Sequence, residues 1–286
     1  MAETMAIPQI FDSRQKALRR ARAVKRMEKS GLSFLLERCL DDCAERMLDV
    51  NRHFKNVILV GEFDLRAELN TRLPDDKQPE SFTFIHRKDD LTNIAHAKAD
   101  LILSFLTLHS EDDLPGEMHL MAKALKKDGL FITALFGGDT LTELRQSLYK
   151  TDDEILKGTT PRIFPMITHS QAAPLITRAG LNLPVVDMDR FNVNYSRFDT
   201  LLSDLRDIGE TNILKNRSDK VLTQNYYKHL KENYAALFGT DGKLKASFEI
   251  LWLTGWAPDE SQQKPLKPGA GKMPLGEAIK AAKDFT

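Results

Sequence analysis

The chain has two cysteines, no net charge and no apolar run near the roughly 20 residues that a bilayer-spanning helix needs. Each shortage removes a class of function. Cys39 and Cys43 lie one helical turn apart in a helical stretch, so a disulfide framework is excluded. Two thiols are also too few to hold a structural metal, which leaves them as reduced, structural residues. The 41 basic and 41 acidic side chains cancel, so no global field draws the protein to nucleic acid or acidic lipid, and partners must be recognised by local patches. No nucleic-acid partner is expected. No hydrophobic segment near the N-terminus could act as a secretory core, and a bacterial cytoplasmic protein is the expectation. Histidines 86, 96, 109 and 119 form no helical i, i+4 pair with an acid between them, and no His/Cys cluster has ligand spacing. No metal site is expected. A Gly-x-Ser-x-Gly turn is missing as well, and with it the signal for a serine hydrolase.

What is present is a run of βα units. Asp100 to Leu108 is a continuous apolar stretch, too short for a helix and too unbroken for a half-wet strand, so it reads as a strand covered on both faces. Glu117 to Lys126 places Met118, Met121, Ala122 and Leu125 on one helical face, Asp128-Gly129 marks the exit, and Gly129 to Phe136 returns as a second strand. Gly137-Gly138-Asp139-Thr140 then turns into a helix from near Leu141 to Tyr149. Upstream, Asn56 to Gly61 is a first strand that ends on a glycine, followed by a short helix with Leu65 and Leu69 and a second strand over Phe82 to Ile85. Downstream, a helix covers Ser170 to Ala179. Leu183 to Tyr195 and Phe248 to Leu253 are strands that should close the sheet as an antiparallel pair. Between them lie two helices, Phe198 to Ile208 and Tyr226 to Phe238, in the position of a lid over the site. A Pro- and Gly-punctuated tail follows, with a last short helix near Leu275 to Ala282.

The first 50 residues are distinctive in charge. Between Ser13 and Lys29 eight lysines and arginines stand against the single acid Glu28. Such a helix is either a solvated face or a docking arm for an acidic protein partner. An Arg-rich start can also mimic an organelle transit peptide, but Asp12 and the direct run into the amphipathic helix Phe34 to Leu48 argue against removal.

Several stretches carry a family resemblance: Phe11-Asp12 before Arg19-Arg20-Ala21-Arg22, Asp113-Leu114-Pro115-Gly116, and Leu125-Lys126-Lys127-Asp128-Gly129-Leu130-Phe131. To these are added Ala134 to Arg145, Asp204-Leu205-Arg206 with Gly209-Glu210, and Leu253-Thr254-Gly255-Trp256-Ala257-Pro258. Together they resemble the methyltransferase-like complex I assembly factors and their alphaproteobacterial relatives, and more distantly the biotin-pathway malonyl-carrier-protein methyltransferase. The resemblance implies an α/β, Rossmann-like class I methyltransferase fold: a mostly parallel seven-stranded sheet with an antiparallel terminal strand, a helical N-terminal extension and a helical cap. On that frame residues 1–50 are the extension, 51–195 the core, 196–240 the cap, 241–258 the final strand and 259–286 the tail.

The same resemblance implies S-adenosylmethionine as cofactor, held by Gly61, Glu62, Phe63, His86, Arg87, Ser104, Leu106 and Thr107. His109 and Tyr195 are then the catalytic candidates, and Gly137, Gly138, Arg145 and Arg206 would hold the acceptor. The chain departs from the pattern at two places. The glycines expected after Gly61 are Phe63 and Leu65, whose side chains should crowd a ligand that lies against bare backbone. The carboxylate expected at the end of the second strand, where it would accept both ribose hydroxyls, is replaced by His86-Arg87. Three functions follow: a methyltransferase, a scaffold that keeps the fold without the cofactor, and a protein-arginine-modifying, hydroxylase-like assembly factor.

Overall fold

The computed structural model describes residues 8–86, 98–218 and 222–263. Arg87 and the helix expected near residues 275–282 lie outside these residues. Two helices come first, α1 (Ser13–Ser30) and α2 (Phe34–Asp49), with the Asp12 carboxylate capping α1 by accepting from the Gln15 N–H. The sheet is then built from β1 (Asn56–Gly61), β2 (Ser81–His86), β3 (Ala99–Phe105), β4 (Leu125–Phe136), β5 (Asn182–Tyr195), the two-residue β6 (Gly239–Thr240) and β7 (Lys243–Trp256). Interleaved are α3 (Arg66–Asn70), α4 (Leu114–Lys123), α5 (Thr142–Leu156), α6 (His169–Arg178), α7 (Phe198–Asp207) and α8 (Gln224–Phe238).

The strand order is β2-β1-β3-β4-β7-β5, with β6 paired to β7. β1 pairs in parallel with both β2 and β3, β3 with β4, and β7 runs antiparallel to β4 and to β5. This is the Rossmann-like methyltransferase fold that the sequence resembles. Alternate residues of each central strand face two separate cores. Leu59, Leu103, Ile132 and Trp252 pack on one face with α2, α5, α7 and α8. Ile58, Ile102, Phe131 and Leu251 pack on the other with Met118 and Met121 of α4 and Ala172 and Ile176 of α6. Burial on both faces is why β1 and β3 read as unbroken apolar runs. Cys39 and Cys43 are fully buried free thiols in α2, and burial pushes both well above the ordinary thiol range.

α5 runs on to Leu156 and β7 spans Lys243–Trp256, both longer than the sequence suggests, and three further boundaries differ in ways that shape the site. β3 stops at Phe105, three residues early, because Leu106 takes a left-handed φ of 48° and a 3-10 turn over Leu108–Ser110 follows. α4 starts earlier than expected, since Asp113 accepts from the Gly116 N–H and Pro115 fills the first turn. Asp128-Gly129 is not a helix exit: both lie inside β4, where Asp128 has a φ of 57° and the pairing with β3 slips by a bulge between Ala99 and Leu101.

Because β5 runs parallel to β4, it ends at Tyr195 on the edge that carries the carboxyl ends of β1, β3 and β4. The insertion leaves from that edge. α7 packs on α1, whereas α8 lies against α5. Among the described residues no helix is long and apolar enough to cross a membrane.

Candidate functional site

At the carboxyl end of β3 the basic helix α1 turns inward. Arg20 is 2% exposed, and its guanidinium donates to the carbonyls of Ile208 at 2.6 Å and Leu106 at 3.3 Å and pairs with Glu210. The left-handed turn at Leu106 aims that carbonyl, and Gly209, with a φ of 75°, lets the chain pass close: a Cβ there would stand 2.9 Å from Arg20 Cδ. Part of the basic run is thus a buried structural anchor and not a solvated face.

Glu210 receives a second partner, His109, whose Nε2 lies 3.1 Å from Oε1. The His109 side chain is fully enclosed, stacked on Phe164 at 6.1 Å and set edge-on to Phe136 at 5.1 Å. Burial alone would raise the Glu210 carboxyl, but the charges of Arg20 and His109 outweigh it and hold it down at about 2. Glu210 is therefore ionised at neutral pH. It also lines a cavity of about 180 Å³ at the carboxyl end of β4, with Phe136, Leu144, Phe164, Arg206 and Thr211. Besides the ionised Glu210 and the Arg162 guanidinium paired with Asp152, the largely apolar wall carries Arg206, which has no ion pair among the described residues and is free to meet an anion.

The other half of the predicted site lies at the ends of β1 and β2. Glu62 is buried, and its carboxylate stands 3.5 Å from His86 Nε2. Phe63 and Leu65 are buried in the core on the α2 side of the sheet. A Cβ built on Gly61 would meet only the Thr107 hydroxyl at 3.7 Å and Phe63 backbone atoms at 3.9 and 4.0 Å. The crowding expected from Phe63 is therefore not seen at Gly61: the ring is spent on packing. Ser104, fully buried on β3, leaves its hydroxyl without a hydrogen-bond partner among the described residues, while Thr107 donates to the Phe105 carbonyl. A backbone left open at Gly61, a carboxylate at Glu62 beside His86 and an unsatisfied hydroxyl at Ser104 fit a nucleoside cofactor. The acid beside His86 comes from the end of the first strand.

The remaining residues separate. Gly137 is glycine because a Cβ would collide with Glu249, which is buried and paired with Arg190, and its N–H donates to the Glu249 carbonyl at 2.8 Å. Arg145 donates to the Gly138 carbonyl at 3.3 Å, bracing the same turn. Tyr195 is buried outside the cavity, and burial together with the neighbouring Asp204 carboxylate pushes its phenol far up. A phenol held in its neutral form is a poor proton acceptor. Arg20 and Glu210, by contrast, carry no local signal of a site: in the sequence Arg20 is one member of a basic run, and both stand in family-like stretches.

Among the described residues no group of three or more His, Cys, Asp or Glu side chains could hold a metal. No family model matches the chain. It is 30% identical over 286 residues to the Homo sapiens protein named "Arginine-hydroxylase NDUFAF5, mitochondrial", with 94% of this chain and 83% of that protein covered. It is 38% identical over 196 residues to the Dictyostelium discoideum protein of the same name, covering 66% of this chain. A "Malonyl-[acyl-carrier protein] O-methyltransferase" of Xylella fastidiosa is 33% identical over 165 residues, 58% of this chain and 54% of that protein. The chain spans 44% and 57% of the length of the Dictyostelium discoideum and Danio rerio relatives. Relatives named as mitochondrial overturn the expectation of a bacterial cytoplasmic protein. At 30% identity over nearly its whole length, the chain belongs to the NDUFAF5 family, the methyltransferase-like complex I assembly factors that its sequence resembles.

Proposed function

We propose that the protein is an S-adenosylmethionine-dependent, methyltransferase-like assembly factor, with cofactor at the ends of β1 and β3 and acceptor in the cavity at the end of β4. The observation that carries this reading is the cavity itself, closed by Glu210 and Arg206 from the insertion and joined to the Leu106 turn through Arg20. When bound, the cofactor supplies a methyl group already activated on a sulfonium. Glu62 would accept from its ribose hydroxyls, and Gly61, Ser104, Leu106 and Thr107 would bound it.

The protein's part is positioning. Arg206 holds an anionic acceptor, and a carboxylate needs no base because it is already a nucleophile at neutral pH. His109 acts through Glu210, keeping that carboxylate fixed as one wall of the cavity. The apolar lining excludes water. On the outer face of α1, Arg14, Lys25 and Lys29 have no ion pair among the described residues and belong to the docking of an acidic protein partner.

A second reading follows from the relatives' name and from one atom. Glu210 Oε1 serves both Arg20 and His109, whereas Oε2 accepts no hydrogen bond from the described residues and could receive the guanidinium of a partner's arginine. Calorimetric titration of S-adenosylmethionine tests the main reading. The native chain should bind saturably and Glu62→Gln at least tenfold more weakly. Absence of binding to the native chain overturns cofactor use and leaves the second reading, in which Glu210→Gln but not Arg206→Gln abolishes capture of an arginine peptide.

A further inference from the structure

Beside the acceptor cavity, between α1 and the end of α7, lies a second cleft of about 240 Å³ lined by Arg19, Arg22, Arg26, Arg206, Gly209 and Thr211. Four guanidinium groups around one cleft repel one another unless anions offset them. Arg26 is accounted for by Asp207 at 2.5 Å and Ser203 at 2.8 Å. The neighbouring cations Lys16 and Arg217 likewise pair with Glu111 and Asp12. Arg19, Arg22 and Arg206 have no ion pair among the described residues. Arg19 Nε and Thr211 Oγ1, both buried, make no hydrogen bond with the described residues. Partial burial of Arg19, together with the charges of Arg22, Arg217 and Arg206, lowers its affinity for its own proton. In a chain with zero formal charge this is a local excess with a specific shape.

We infer that this cleft binds a phosphoryl group of the monoester type. Three planar forks converging on one space exceed what a single carboxylate can satisfy with its two oxygens. A tetrahedral oxyanion with three terminal oxygens can accept from all three guanidiniums and from the Thr211 hydroxyl. Because Arg206 and Thr211 line both the cleft and the acceptor cavity, the phosphoryl group sits next to the position of the acceptor. The site stands on its own geometry and does not require S-adenosylmethionine to bind.

The test is a titration of inorganic phosphate into the full chain at constant ionic strength, read by calorimetry and by the shift in thermal midpoint. Saturable binding is expected, weakened at least tenfold in Arg22→Gln, whose side chain is exposed, and in Arg19→Gln. Lys25→Gln, which removes one charge elsewhere on the same helix, should leave it within twofold. Adenosine 5′-monophosphate and free phosphoserine then tell the source, since the monoester whose remaining groups fit should bind more tightly than phosphate. Absence of saturation, or an equal loss in Lys25→Gln, overturns the site. Saturation by a pentaglutamate peptide but not by phosphate also overturns it, and assigns the cleft to the acidic protein partner. Cofactor titration of the same variants keeps the outcomes separate: Arg22→Gln should bind S-adenosylmethionine as the native chain does.

Discussion

The carboxyl ends of β1 and β2 and those of β3 and β4 lie on one edge of one sheet, yet they are built by opposite means. At β1 the side chains are local in sequence: Gly61, Glu62, Phe63 and Leu65 are consecutive or nearly so, and the two apolar ones are absorbed by the core. At β3 and β4 the groups come from residues 20, 106, 109 and 210, and charge holds them in place. The first end tolerates a lost glycine pattern because packing takes up the added volume. The second depends on each partner, because a buried ion without its counterion carries an uncompensated desolvation penalty.

The largest effect is expected at Arg20. Arg20→Met should lower stability by about 3–5 kcal/mol in urea denaturation, since it leaves Glu210 buried without its main counter-charge. A loss under 1 kcal/mol would show that the charged end is as tolerant as the other. Phe63→Ala sharpens the contrast from the opposite side. It should cost about 3–4 kcal/mol as a core truncation and leave S-adenosylmethionine affinity within threefold. A gain in affinity without loss of stability would return Phe63 to the role of an obstruction.

Acid provides a finer test. Glu210 titrates at about 2 in the folded chain against an ordinary 4.5, so its contribution is fully present above about pH 4.5 and is lost as pH falls toward 2. The loss should be on the order of 3 kcal/mol. Denaturation midpoints between pH 5 and 2.5 should therefore fall more steeply for the native chain than for Glu210→Gln, and parallel slopes would remove the ion pair from the account. The smallest effect belongs to Tyr195, which lies outside both ends. Tyr195→Phe should change stability by less than about 1 kcal/mol and leave ligand affinity unchanged within twofold.

Legibility in the sequence follows the same division. β1, β5, β7, α7 and α8 were readable because periodicity and apolar runs are local signals, and β1 beside β3 follows from both being covered on two faces. The kink at Leu106 was not, because a left-handed turn at a leucine leaves no mark such as glycine would. Glu210 stood in a family-like stretch but had no stated partner, since nothing local says that an arginine 190 residues earlier will meet it. The inward turn of Lys16 and Arg20 was hidden for the same reason: a basic run looks alike whether its members face water or carboxylates. Glu62 is visible in the sequence as a residue after the first strand, but only the fold sets it beside His86.

The span between Arg20 and Glu210 also has a consequence for the order of events during synthesis. With 190 residues between them and a ribosome adding about 5–20 residues per second, the arginine waits roughly 10–40 s for its counter-ion to emerge. Through that interval α1 cannot complete its docking. The helix α1 is therefore made long before it can be seated, and a nascent chain stalled before Glu210 should still present it to proteases or chaperones.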